Sequence, residues 1–276
     1  MTYREAIQKA FAILDNENID NAKGDARTLF QYVTGLSQTD ILLRSMDEMS
    51  IEQEEKYFQA VQQRKNHIPL QYITNEQCFM GLSFFVNEHV LIPRYDTEIL
   101  VEEVLKLCQD EMRVHDMCTG SGCIITSLKV FKPGIIASGS DISSEALEVA
   151  KKNAKANEAD VSFYLSDLFD EIEGLYDIIV SNPPYIETKE IEKLSVEVKD
   201  HEPMGALDGK EDGLYFYRLI IDEGWNHLKP EGYLCFEIGF DQGESVPKLL
   251  EERGFKFIQV KKDLAGLDRV VIARKG

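Results

Sequence analysis

From about residue 93 onward the chain alternates between two hydrophobic periods, and this restricts its fold more than any other feature. Arg113–Met117 reads as a strand and Cys123–Phe131 as a helix. Strand 134–141, helix 143–157 and strands Val161–Leu165 and Tyr176–Ser181 follow. Helix 214–228 leads to strand 232–238, and helix 244–253 leads to strands near 257–260 and 269–273. Strands separated by amphipathic helices imply an α/β protein with a doubly wound, mostly parallel sheet.

The first 74 residues read differently. Ile7, Ala10, Phe11 and Leu14 recur at helical spacing, as do Ala26, Leu29, Phe30 and Val33 before a stop at Gly35. Ser50 ahead of Ile51-Glu52-Gln53-Glu54 has the form of a capping box and opens a third helix through Arg64. Phe79-Met80-Gly81-Leu82-Ser83-Phe84-Phe85-Val86 is aromatic and β-rich, with Gly81 as a turn. Three parts are therefore expected: a small helical bundle over 1–74, a β-hairpin linker over 75–92, and an α/β domain over 93–276.

With 276 residues and 43% hydrophobic content the chain can bury a real core. Its N-terminus lacks the basic-then-apolar pattern of a signal peptide, and no apolar run approaches the ~20 residues that span a bilayer. A cytoplasmic protein with no membrane association is expected, and a monomer. The five cysteines form no CxxC pair, so neither a disulfide framework nor a metal site is suggested. A net charge of −19 disfavours free nucleic acid as a substrate, since phosphate contacts need clustered Lys and Arg. It suits a protein partner, and a basic one in particular.

The first strand of the α/β part ends in Asp116-Met117-Cys118-Thr119-Gly120-Ser121-Gly122, and a helix follows. Glycines there allow close backbone approach, and the helix start offers unpaired N–H groups. The second strand ends in Asp141, 19 residues after Gly122, where a carboxylate accepts hydrogen bonds from ribose hydroxyls. The third ends in Ser166-Asp167-Leu168-Phe169, where a carboxylate and an apolar neighbour can frame adenine. These features together mark an adenosine-type cofactor without separating NAD from S-adenosylmethionine. The dinucleotide fingerprint G-x-G-x-x-G is absent because Cys118 occupies its first glycine position, which argues against a pyrophosphate. A methionine-type tail would set its ammonium near Asp116.

The fourth strand runs straight into Ser181-Asn182-Pro183-Pro184-Tyr185, at the strand-end rim where open α/β sheets bind ligands. In isolation Asn-Pro-Pro is a good turn; here it suits methylation of a planar nitrogen. The lone pair of an amide or exocyclic NH₂ is delocalised and has to be aimed in line with the methyl. The side-chain oxygen of Asn182 and the carbonyl of Pro183 supply two acceptors for the two N–H bonds. The prolines stiffen the loop, and Tyr185 offers an apolar face for the substrate group. Catalysis is then mostly positioning, worth up to ~7–11 kcal/mol in favourable cases.

These residues resemble the PrmC (HemK) family, the protein-(glutamine-N5) methyltransferases that act on class I peptide release factors. The resemblance runs along nearly the whole chain. It includes Pro69-Leu70-Gln71-Tyr72-Ile73, Phe79-Met80-Gly81-Leu82, and the run from Leu91 to Glu98. It continues through the Gly-rich turn, Asn182 to Tyr185, His201-Glu202-Pro203, Ala206-Leu207-Asp208-Gly209, Asp212-Gly213-Leu214 and Asp263-Leu264-Ala265-Gly266. It implies a class I S-adenosylmethionine-dependent methyltransferase whose helical bundle docks the release factor. The glutamine of the factor's Gly-Gly-Gln loop would enter beside Asn182 and Pro183, with Pro184 and Tyr185 also in contact. Cys118, Thr119, Gly120, Ser121, Gly122, Asp141, Asp167, Leu168 and Asn182 would line the cofactor. The chain departs from the family pattern at Cys118, where Gly is usual, and at Tyr95, where Pro is common.

Two other functions fit parts of the sequence. An adenine-N6 DNA methyltransferase shares the Asn-Pro-Pro-Tyr stretch but needs a basic target-recognition region, which a chain of this charge does not display. A non-catalytic translation-factor-binding protein is favoured only by Cys118. Arg94 and Glu98 are candidates for the site or for a salt bridge where the helix opens. His67, His115 and His201 have no ligand spacing and read as structural or surface residues, and Tyr215-Phe216-Tyr217 reads as core.

Overall fold

The computed structural model describes residues 1–276. The chain divides into two compact units, Met1–Asn75 with Ser195–His201, and Glu76–Leu194 with Glu202–Gly276. Segment 195–201, which the periodicity leaves inside the α/β part, thus belongs to the helical unit.

The helical unit holds α1 (Tyr3–Asn16), α2 (Ala22–Thr34), α3 (Gln38–Leu43), α4 (Ile51–Lys65) and α5 (Leu70–Thr74). Capping boxes at Thr2, Ser37 and Ser50 start α1, α3 and α4, and Gly35 ends α2 in the left-handed region at φ 68°. The core is an aromatic stack of Tyr3, Phe30 and Tyr57, in edge contact at 5.1 and 5.3 Å between ring centroids. The Tyr57 hydroxyl donates to the Ala26 carbonyl at 2.8 Å, so its polar end is satisfied. The apolar stripe of α1 is rotated from the expected one. Tyr3, Ala6, Ala10 and Leu14 are buried while Phe11 is exposed, because the two alanines form the face that packs on α2 and α4.

Arg64 of α4 is buried. It donates from Nε to Asp25 Oδ2 at 2.7 Å, and from its other nitrogens to the Ile68 carbonyl at 3.1 Å and to Glu197. Burial pushes the Asp25 carboxyl above its ordinary range, against the pull of Arg64. Removing one partner strands a buried charge.

The α/β unit opens with a hairpin of β1 (Gln77–Phe79) and β2 (Leu82–Phe84). Met80 and Gly81 both have positive φ, as a two-residue hairpin turn requires, and Phe79 and Phe84 are fully buried in the core of this unit. Then come α6 (Thr97–Leu107), β3 (Arg113–Met117), α7 (Cys123–Phe131), β4 (Ile136–Asp141), α8 (Ser144–Ala156), β5 (Val161–Leu165) and β6 (Tyr176–Ser181). Short α9 (Thr188–Ile191) follows, then α10 (Val196–His201), which belongs to the helical unit, and then α11 (Tyr215–His227), β7 (Leu228–Glu237), α12 (Ser245–Arg253), β8 (Lys256–Lys262) and β9 (Asp268–Arg274). The sheet order is β5-β4-β3-β6-β7-β9-β8, with β9 antiparallel to both its neighbours and the rest parallel. The expected doubly wound sheet is therefore present. No helix is long and apolar enough to cross a membrane.

Strand β6 is apolar on both faces, as a strand covered on both sides demands, while β3 and β4 also bury polar side chains such as His115 and Ser140. In β6, Ile178 and Val180 join one core with α6 and α7, while Ile179 joins the other with α11 and α12. The strand order reverses between β3 and β6, which places a crevice beyond their carboxyl ends.

Replacing Arg64 by Met is expected to cost about 3–5 kcal/mol, with most of the loss recovered when Asp25→Asn is added. Chemical denaturation of the three proteins measures this; a single-variant loss below about 1 kcal/mol would show that the ion pair is not needed.

Candidate active site

The two chemistry-bearing loops leave the sheet side by side. Met117 of β3 is in register with Ser181 of β6, and the Ser181 hydroxyl donates to the Met117 carbonyl at 2.6 Å. The turn from Cys118 and the loop from Asn182 therefore start at the same level on adjacent strands. Beyond them lies a cavity of about 410 Å³, within the roughly 300–1,000 Å³ of small-molecule sites.

Cys118 takes φ 61°, the left-handed conformation that Gly adopts freely, so the turn keeps its course despite the side chain. This conformation costs a non-glycine residue roughly 1–2 kcal/mol. Burial and nearby carboxylates hold the Cys118 thiol protonated, well above the usual thiol range. Gly120 also has positive φ, and a β-carbon there would meet nothing within 4 Å, which leaves its face open. Gly122 caps α7 with a β-carbon position 3.0 Å from Ala150 of α8, so it serves close packing. Asn153 of α8, buried, ties this region together. Its amide nitrogen donates to the carbonyls of Ser121 at 2.9 Å and Phe85 at 3.0 Å, and its oxygen accepts the Phe85 N–H at 2.7 Å.

Asp116 is fully buried behind the turn. Its Oδ2 accepts from the Thr119 hydroxyl at 2.6 Å, and Oδ1 has no partner. Burial pushes its pKa up to about 7, against the Thr119 hydrogen bond. Asp141 accepts the Gly120 N–H at 2.8 Å on one oxygen and the Ser143 N–H at 3.0 Å on the other, and both oxygens keep further lone pairs. Burial raises the Asp141 carboxyl and these N–H groups pull it back. At the end of β5, Leu168 has φ 45°, and the Ser166 hydroxyl braces it by donating to its carbonyl at 2.8 Å.

The cavity wall brings together Cys118, Thr119, Gly120, Ser121, Asp141, Asp167, Leu168, Asn182 and Pro184. Gly122, Pro183 and Tyr185 do not line it. Pro183 is buried in the loop, and the Tyr185 hydroxyl points to Glu237 Oε1 at 3.3 Å. Arg94 lines the cavity and also pairs with the buried Glu202, whereas Glu98 accepts the Met80 N–H at 2.6 Å in the hairpin turn. His115 is structural, with its ring nitrogens 2.9 Å from Ser138 and Ser140 and burial pushing its pKa down to about 3.

Three contributors escape sequence reasoning. Tyr217 is core as expected, but its neighbour Phe216 lines the cavity. Glu237 is a charged residue at the end of an apolar run in a strand, and that mismatch is the signal that marks it; Asn153 lies among lysines and carries no such signal.

The residues present fit an adenosyl sulfonium cofactor. Asp141 provides acceptors for a diol, and Leu168 provides an apolar surface for a base. Asp116, buried behind the turn with Oδ1 unpartnered, would be drawn toward its charged form by a cationic tail. Fold and site define an S-adenosylmethionine-dependent methyltransferase of class I. A methyltransferase from Pyrococcus furiosus shares the fold, with a TM-score of 0.53 at 17% identity over 71% of this chain and 90% of that one. Residues 5–74 match the PrmC N-terminal domain, and residues 95–198 match the methyltransferase small domain. The release factor glutamine methyltransferase of Clostridium acetobutylicum is 41% identical over 100% of this chain and 99% of its own length. That of Aquifex aeolicus is 39% identical over 91% and 90%. The chain belongs to the release factor glutamine methyltransferase family.

Asp141→Asn is expected to weaken cofactor binding by about 1.5–3 kcal/mol, the worth of hydrogen bonds to a charged group. Calorimetric titration measures it, and an unchanged affinity would remove Asp141 from the cofactor site. Asp116 gives a pH signature. Its folded pKa of about 7 lies above its ordinary 3.8, so the folded chain holds an extra proton between them. The protein without cofactor should therefore lose stability from this group as pH rises from about 4 to about 7. Asp116→Asn should gain on the wild type across that window in denaturation at several pH values; a constant difference would contradict the assignment.

Proposed function

We propose that this enzyme methylates N5 of the glutamine in the Gly-Gly-Gln loop of class I peptide release factors. The observation that carries the reading is Asn182, half-buried on the cavity wall directly beside the cofactor turn. S-adenosylmethionine supplies an electrophilic methyl group on a sulfonium centre.

The protein's task is to make a poor nucleophile competent. Asn182 Oδ1 and the Pro183 carbonyl each accept one N–H of the glutamine amide, which orients the nitrogen lone pair toward the methyl. The nitrogen so oriented would take the methyl that the sulfonium supplies, with the thioether as leaving group, and would release its surplus proton to water afterwards. No base of unusual pKa is required. Pro184 and Phe216, both on the cavity wall, supply the apolar surface against the planar amide. Tyr185 supports the loop that carries these groups. Holding reactants in line replaces an entropic cost, worth up to ~7–11 kcal/mol in favourable cases, and neutral acceptors stabilise charge that spreads in the transition state.

The helical unit docks the release factor, and the excess acidic charge of the chain favours a basic protein surface over nucleic acid. An enzyme of translation factors works in the cytoplasm. Matching the PrmC N-terminal domain supports this reading over DNA adenine methylation. The glycine-like backbone of Cys118 supports it over a non-catalytic binding protein.

Methyl-labelled cofactor with a purified release factor is expected to label the loop glutamine. Label that persists after that glutamine is replaced overturns the substrate assignment. Asn182→Ala should lower the rate by about 100-fold or more with cofactor affinity within a few-fold, and an unchanged rate refutes the positioning mechanism.

A further inference from the structure

The patterns Ala206–Gly209 and Asp212–Leu214 have no role in the chemistry described so far. The fold packs both against Tyr185. The Ile186 N–H donates to the Leu207 carbonyl at 3.0 Å, and the Gly209 N–H donates back to the Ile186 carbonyl at 2.8 Å. The Thr188 N–H reaches the Lys210 carbonyl at 3.0 Å, and the Thr188 hydroxyl donates to Asp208 at 2.6 Å. Residues after the loop are thus laced to 207–210 as a short parallel bridge.

The approach is too close for side chains. A β-carbon on Gly209 would lie 2.7 Å from the Cα and carbonyl carbon of Tyr185. One on Gly213, which has φ 69°, would collide with the Tyr185 carbonyl oxygen. Gln242, buried in the turn between β7 and α12, closes the arrangement. Its amide nitrogen donates to the carbonyls of Tyr185 and Gly213, both at 3.2 Å, and its oxygen accepts the Gly239 N–H at 2.9 Å. At the other end of Tyr185, the hydroxyl donates to the buried Glu237 at the end of β7. Burial raises the Glu237 carboxyl above its ordinary range, and Thr97, Arg269 and the Tyr185 hydroxyl pull it back.

Asn182, Pro183 and Pro184 therefore span two fixed points. One is Ser181, hydrogen-bonded to Met117, and the other is the clamped backbone of Tyr185. With the φ angles of both prolines set by their rings, the two end points determine where the Asn182 side chain and the Pro183 carbonyl aim. We infer that 207–213, Gln242 and Glu237 form the second anchor of the catalytic loop, with Gln242 as the positioning residue that sets its catalytic register. This rests on the proposed acceptor roles of Asn182 and Pro183.

The test uses full-length protein with release factor as substrate. Gln242→Leu should lower kcat by about 10- to 100-fold, as a misplaced acceptor pair would, while the release-factor KM and the cofactor Kd stay within about 3-fold. Gln242→Glu keeps the shape and the acceptor for Gly239 but loses both donors, so the same fall in kcat is expected; it also covers a Leu variant that does not fold. The second readout is a double-mutant cycle. In an Asn182→Ala background, Gln242→Leu should add little further loss, because both act through one loop. Independent, multiplying losses overturn the inference, as does a full kcat in Gln242→Leu or Gln242→Glu alongside an inactive Asn182→Ala. A full rate in Asn182→Ala itself refutes the reading of the catalytic loop, a different result from failure of the anchor.

Discussion

The structure depends on one pairing, that of β3 with β6 at the point where the strand order reverses. The register puts Met117 beside Ser181, and a 2.6 Å hydrogen bond closes the pair at its carboxyl end. A register shift between parallel strands would separate the cofactor turn from the catalytic loop by at least one residue rise, about 3.3 Å. Methyl transfer between two bound groups does not tolerate that error. The apolar faces of both strands are buried in cores on either side of the sheet, so the register is held by packing as well as by the ladder.

Around this pairing the protein accepts local costs. Asp116 and Glu237 are fully buried carboxyls, each with one oxygen unpartnered, and Cys118 and Leu168 sit at positive φ. Buried unsatisfied groups and non-glycine residues in the left-handed region are individually unfavourable. They cluster along the strand ends that form the cavity, while the cores behind them are built of ordinary aliphatic and aromatic packing. The strain thus falls where ligands and loops have to be held at fixed angles.

Much of the fold was legible because a covered parallel sheet demands continuous apolar strands and amphipathic helices. β3, β5, β6 and α7 lie where periodicity puts them. Short elements such as α3, α5, α9 and α10 escaped, since a helix of one or two turns carries too little periodicity to read. Helix α1 buries a different face from the one its apolar spacing marks, because alanines, not the larger Phe11, make the close contact. At the site, Asp141, Asp167, Leu168, Asn182 and the Gly-rich turn are readable from strand-end position. Asn153, Phe216, Glu237 and Gln242 were not, because each acts from an element distant in sequence.

The sequence by itself determined the chemical types: the glycines, the carboxylates at strand ends, and the Asn-Pro-Pro-Tyr loop with its acceptors. These are local properties, set by backbone freedom, charge and ring geometry. Only the tertiary structure decided which of them share a cavity, that Cys118 keeps a glycine-like turn, and that Tyr185 faces Glu237 and Gln242 rather than the cavity. Those outcomes follow from strand register and from the close approach of residues 207–213 and 242 to the loop. No local rule contains them, because they are contacts between segments that only the folded sheet brings together.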